Sequence, residues 1–210
     1  MVRLYAALSA AALLACALPA AHAADDNRTL AAFRAIAIKG PIDIEIHAGK
    51  AQSVKVSGSD EFIGKLRTTV KDGELLIDYP GKANKTTDTG KIVVTMPTLV
   101  KCMVEGAGEV AIDGVNEERI DLQFQGAGEL SAKGKTKWLR LKAQGVGHVD
   151  TKGLQAERAD VNFEGIGEVA VHASQTLNAV VRGLGNLVYY GHPKVLNKSA
   201  SGLGGIKAGD

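Results

Sequence analysis

The sequence predicts an all-β fold, a right-handed parallel β-helix, and two observations carry the prediction. One short pattern, Gly-apolar-Gly, returns six times: Gly106-Ala107-Gly108, Gly126-Ala127-Gly128, Gly145-Val146-Gly147, Gly165-Ile166-Gly167, Gly183-Leu184-Gly185 and Gly202-Leu203-Gly204. The first glycines are spaced 20, 19, 20, 18 and 19 residues apart, and a fixed period near 20 marks units that stack on one another. The second observation is alternation. Six, four and two residues before each pair the side chains are mostly apolar, as in Ile120/Leu122/Phe124, and polar residues such as Asp121 and Gln123 lie between them. The same alternation resumes after the pair, as in Leu130/Ala132. Each unit therefore reads as strand, glycine corner, strand, with one face buried. Parallel crossovers are overwhelmingly right-handed, and the six-residue period of the left-handed hexapeptide helix is absent. The apolar residue between the glycines is expected to turn inward across the corner, with the glycines supplying backbone angles that other residues avoid.

Taken in order, residues 1–23 read as a secretory signal peptide. Arg3 is followed by the apolar run Leu4 to Leu18, and the stretch ends in a small-x-small site at Ala23. Leu13-Leu14-Ala15-Cys16 resembles a lipoprotein box and offers the alternative of a lipid anchor at Cys16. Residues 24–34 are polar and are expected to form a tether. The domain then spans 35–210, with N-terminal strands and a short helix over 35–98 and the six glycine repeats over 99–210. Ile36/Ile38 and Ile42/Ile44/Ile46 alternate as strands, and Val54/Val56 make another. Ser59 to Leu66 predicts a short helix capped by Ser59. Asp72-Gly73 between Val70 and Leu75 predicts a hairpin. Gly81 to Gly90 reads as a loop, and Ile92/Val94/Met96 lead back into the repeats.

These residues carry a resemblance. Phe33-x-x-Ile36-x-Ile38-x-Gly40-x-Ile42-Asp43-Ile44-x-Ile46, then Ser53-Val54-x-Val56, then Leu66-x-x-x-Val70-x-Asp72-Gly73-x-Leu75-x-Ile77, and the Gly-x-Gly-acidic repeats resemble the head GIN domain family of autotransporter adhesins. The likeness covers about residues 33–210. It implies a right-handed β-helix, an exported bacterial protein, adhesion at the cell surface and no recognised catalytic set.

The residues themselves narrow the chemistry. A formal net charge of +2, without a stripe of Lys or Arg, argues against a nucleic-acid partner. Cys102 falls at an inward strand position and reads as a buried hydrophobe rather than a nucleophile. Asp43/Glu45 and Asp113/Glu117/Glu118 are carboxylate groups, but at turns or on exposed faces. His47, His148, His172 and His192 share no metal-site spacing. No cofactor is expected. Glu109, Glu129, His148 and Glu168 occupy one repeat position and form a polar ladder, read either as a cation or glycan site or as a solvated edge. Trp138, Tyr189 and Tyr190 are candidate sugar-stacking platforms, against which Trp138, at the start of a repeat, is expected to pack near the second corner and Tyr189 falls on the inward count.

Three functions remain in view: an exported, non-catalytic adhesion or ligand-binding module, a polysaccharide-active enzyme on the same scaffold, and a purely structural envelope module. The first is preferred. Its expected partner is a surface glycan or protein, with self-association through the last repeat (Val195 to Ile206), and with no membrane-spanning segment in the mature chain. The expected location is periplasmic, cell-surface or secreted.

Overall fold

A computed structural model describes residues 24–80 and 90–209. The signal peptide expected over 1–23, the anchor alternative at Cys16, residues 81–89 of the loop expected over Gly81 to Gly90, and Asp210 lie outside the described residues; Gly90 itself opens a strand. The described chain is all-β apart from one short helix. In order it forms β1 (Ala24–Asn27), β2 (Ala35–Pro41), β3 (Ile44–Ala48), β4 (Ser53–Gly58), α1 (Asp60–Lys65), β5 (Arg67–Lys71), β6 (Glu74–Asp78), β7 (Gly90–Met96), the long β8 (Lys101–Gly183), β9 (Asn186–Tyr190), β10 (Val195–Gly202) and β11 (Ile206–Ala208). These strands make one open, eleven-stranded sheet of mixed direction. The all-parallel β-helix expected from the repeat is therefore too narrow a description.

Parallel pairing dominates where the glycine repeat runs. β10 lies on β8 with Gly202 opposite Gly183, and β11 lies on β9. β2 lies on the start of β8 with Gly40 opposite Gly106, and β3 follows it with Ile44 opposite Val110. Residues 35–48 are thus one more pass in the same register. β6 and β7 form a further pass beyond it, pairing in parallel with β2 and β3. The antiparallel pairs all lie at this N-terminal side: β5 on β6, β4 on β7, and β1 on β4. β1 falls within the stretch expected to be a tether; its backbone pairs Ala24 to Asn27 with Gly58 to Lys55.

The local signals explain these elements. Ser59 Oγ accepts the Phe62 N–H at 3.1 Å and caps α1. Asp72 and Gly73 both have positive φ, 52° and 74°, as a two-residue hairpin turn requires. The helix tucks Phe62 inward, where its ring stacks on Tyr79 with centroids 5.3 Å apart. One core runs through all the passes, and Ile36, Ile77, Cys102, Ile120, Leu139, Ala159 and Leu177 within it are each fully buried.

The structure corrects one expectation about the corners. The residue between each glycine pair points outward, not inward. Val146, Ile166, Leu184 and Leu203 are 54%, 49%, 53% and 89% exposed, and Ala107 and Ala127 are exposed too. The inward alternation runs unbroken through the pair, so both glycines occupy inward positions. The passes approach so closely there that no side chain fits between them. A Cβ on Gly126 would overlap the Gly106 carbonyl, one on Gly145 that of Gly126, and one on Gly165 that of Gly145. Gly106, Gly126 and Gly145 do take the unusual backbone angles expected of them, with φ of +148°, +143° and +121°, and these angles aim a Cβ at the neighbouring pass, which, rather than a change of face, explains the glycine pair.

Candidate functional site

The glycine pairs stack in two columns. Gly40, Gly106, Gly126, Gly145, Gly165, Gly183 and Gly202 form one, each against the next. Gly108, Gly128, Gly147 and Gly167 form the second, which Gly185 and Gly204 continue. Between them runs the outward aliphatic column. Beyond it lies the expected polar ladder, with Glu109, Glu129 and Glu168 exposed and His148 half-buried. None of these four has a side-chain ion pair or hydrogen bond among the described residues, and no cluster of three metal-ligating side chains occurs there.

The carboxylates singled out at the turns are engaged within the fold. Asp43 Oδ1 accepts the Glu109 backbone N–H at 2.8 Å. Glu45 pairs with Lys91 at 2.7 Å, and Asp113 with His47 Nδ1 at 2.7 Å. Glu117 accepts the Leu99 N–H, and Glu118 pairs with Lys137 at 2.8 Å. Glu45 and Asp113 flank one imidazole, since Glu45 Oε2 also lies 4.0 Å from His47 Nε2, while Glu117 and Glu118 are held by other partners. Burial pushes the Cys102 thiol up to about 12, which leaves it no thiolate at neutral pH.

The aromatic candidates are also occupied. Trp138 sits between two guanidiniums, Arg119 at 4.5 Å from its ring centroid and Arg158 at 4.9 Å. These three residues are 19 and 20 apart and so share one repeat position. Both faces of the ring are covered, so Trp138 is no sugar platform. Its indole N–H donates to Asp160 Oδ2 at 2.7 Å. Tyr190 has Lys152 over its ring at 5.1 Å, and Tyr189 packs on the core.

What the outward strand face does offer is a groove. Asp121, Arg140, Lys142, Asp160, Asn162 and Asn178, from four consecutive repeats, line a hollow of about 440 Å³. The two carboxylates in it are already bound. Arg119 holds Asp121 through two contacts at 3.0 and 2.9 Å. Arg158 holds Asp160 at 3.0 Å, and Asn178 Nδ2 donates to the same carboxylate. Burial alone would raise the Asp160 pKa, but the hydrogen bonds from Asn178, Arg158 and Trp138 hold it below the usual carboxylate range. Arg140 and Lys142 are exposed and have no ion pair or hydrogen bond among the described residues. In the sequence they were only outward strand residues. Their opposition to two internally neutralised carboxylates is a property of the stacked arrangement.

Among known proteins, residues 32–193 match the family described as "Putative auto-transporter adhesin, head GIN domain". A crystal structure of a "putative adhesin" from Bacteroides fragilis superposes with a TM-score of 0.72 at 22% identity, covering 90% of this chain and 98% of that one. A second "putative adhesin", from Parabacteroides merdae, gives a TM-score of 0.51 at 14% identity, covering 89% and 96%. At these identities the likeness is one of fold. A comparison with functionally curated proteins finds no match.

Proposed function

The chain belongs to the head GIN domain family of auto-transporter adhesins, and from that membership we propose that it is a non-catalytic binding module of the cell envelope. In this reading it is exported behind the signal peptide of residues 1–23. Its repeats wind as a right-handed parallel β-helix, which the glycine-on-glycine stacking at 18–20-residue intervals supports. The outer face of the strands meets a surface partner. The groove lined by four successive repeats carries the proposal, because side chains there are left free by the fold. The adhesin names of the family and of the Bacteroides fragilis structure agree with it. A binding screen of the processed protein against glycans and cell-surface proteins, with a polysaccharide turnover assay on the same sample, tests it. Saturable binding without turnover supports the reading. Turnover of a polysaccharide overturns it in favour of an enzyme.

Self-association through the last repeat is a second reading. β10 pairs with β8 along one edge, and among the described residues its other edge carries no strand. One residue works against it. Lys198 stands opposite Ala179, an inward position, and a charge at an inward position of an edge strand disfavours the addition of another strand. Light scattering of the processed protein over a concentration series separates monomer from dimer.

A further inference from the structure

We propose that the groove over the third repeat binds an acidic polysaccharide, with Arg140 and Lys142 as the pair that holds its anionic groups. The proposal rests on the binding-module reading and names the ligand class for its groove. The shape favours a linear polymer. The main hollow shares Gln123 and Lys142 with a smaller one of about 60 Å³ that continues to Met103 and Glu105. Together they run across successive repeats, in the direction of stacking.

The charge favours an anion. Asp121 and Asp160 are neutralised by Arg119 and Arg158, so the two remaining cations have no ion-pair partner among the described residues. Arg140 and Lys142 lie two apart on one strand and face the same side, about 7 Å from each other. That spacing lets two anionic groups along one chain be held at once. A guanidinium takes a carboxylate or sulfate in a fork, and an ammonium adds a point charge.

The lining favours a sugar over other polyanions. Gln123 makes no hydrogen bond among the described residues and keeps a donor and an acceptor, and Asn162, whose Oδ1 accepts from Arg182 at 3.4 Å, keeps its amide N–H groups, which suits hydroxyl groups; Asn178 is held between Asp160 and Asn197. A single-stranded nucleic acid needs an aromatic face for its bases, and the ring beside the groove, Trp138, is covered on both sides. An acidic peptide that docked by strand addition or through an apolar anchor would find neither mode open here. The strand backbone there is engaged by neighbouring repeats, and its apolar side chains, Leu122, Leu141 and Val161, point into the core.

The test is calorimetric titration of the processed protein with hyaluronate, sulfated dextran, unmodified dextran and polyuridylate. Hyaluronate tests carboxylate and sulfated dextran tests sulfate. The expected result is binding of one or both anionic glycans that weakens as salt rises. Unmodified dextran should not bind, and polyuridylate should bind more weakly than the anionic glycans. Arg140→Ala with Lys142→Ala should weaken the glycan by at least about tenfold with the melting temperature unchanged. Lys194→Ala with Lys207→Ala, equal in charge removed, should leave binding as it was. Equal loss in both double variants, no anionic glycan bound, or preference for polyuridylate or plain dextran overturns the proposal. Capture of a surface protein or neutral glycan in the wider screen would still leave the binding-module reading standing. Binding of nothing in either experiment overturns both.

Discussion

Gly165 stacks on Gly145 so closely that a Cβ built on it would overlap the Gly145 carbonyl oxygen. Gly165 also has φ of +154° and Gly145 of +121°. Gly165→Val should therefore cost about 3 kcal/mol or more in urea unfolding, through overlap and strain together. Gly64 is the internal control. A Cβ there meets nothing within 4 Å, and it lies in α1, so Gly64→Ala should leave stability unchanged or raise it by about 0.5–1 kcal/mol. Equal stability of the two variants would refute the packing argument.

The outward orientation of the middle residue gives a paired prediction. Ile166→Ser should change stability by less than about 0.5 kcal/mol, as an exposed substitution does. Leu177→Ala, at a fully buried position, should cost about 2–5 kcal/mol. Were the inter-glycine residue turned inward, the Ile166 variant would be destabilised as strongly as the Leu177 one. Glu129→Gln, in the exposed polar ladder, should be nearly neutral or slightly stabilising in the same assay.

Trp138 ties three repeats together through Arg119, Arg158 and Asp160. Trp138→Phe keeps an aromatic face between the two guanidiniums and loses the pyrrole ring with its N–H, and should cost about 1 kcal/mol. Trp138→Ala loses both cation–π contacts as well and should cost about 2–3 kcal/mol. Acrylamide should quench the native indole far less than the unfolded one, since both ring faces are covered.

Acid should act partly through Asp160. Its carboxyl is held below the usual range in the folded state, so its contribution is complete above the unfolded-state value and is lost as pH falls through the lower folded one. Urea midpoints measured downward from about pH 4 should fall less steeply in Asp160→Asn than in the parent. Parallel slopes would show that Asp160 carries no share of the acid sensitivity.

Cys102 should resist thiol reagents in the native protein, because its thiol is fully buried and pushed up to about 12. Labelling with a disulfide reagent should follow global unfolding across a denaturant series. Prompt labelling in buffer would place Cys102 at an accessible surface instead.

Much of this fold is visible in the chain because its signals are local. The glycine period, the strand alternation, the Ser59 cap and the Asp72-Gly73 turn each act within a few residues. The pairing of Gly40 with Gly106 is not local. An excursion of 66 residues separates them, and Pro41-Ile42 replaces the expected apolar-Gly, so the extra pass does not match the pattern. The corner departs from the sequence expectation for a different reason. An apolar residue between glycines suggests burial, while the strand alternation carries on through the pair and turns that residue outward. The groove was hidden because its character lies in which charges are spent. Asp121 and Asp160 are only alternating polar residues in the sequence, and their pairing with Arg119 and Arg158, each two residues before its carboxylate, appears with the fold.

The glycine columns make each repeat both floor and ceiling for an identical neighbour. The corner of one repeat meets the corner of another, whichever two those are. Size in such a molecule is a quantised variable. Inserting or deleting one unit of about 19–20 residues changes the length of the outer face by about 4.8 Å and leaves every remaining corner in the surroundings it had before. The reach of the outer-face hollow is open to stepwise change without redesign of the core.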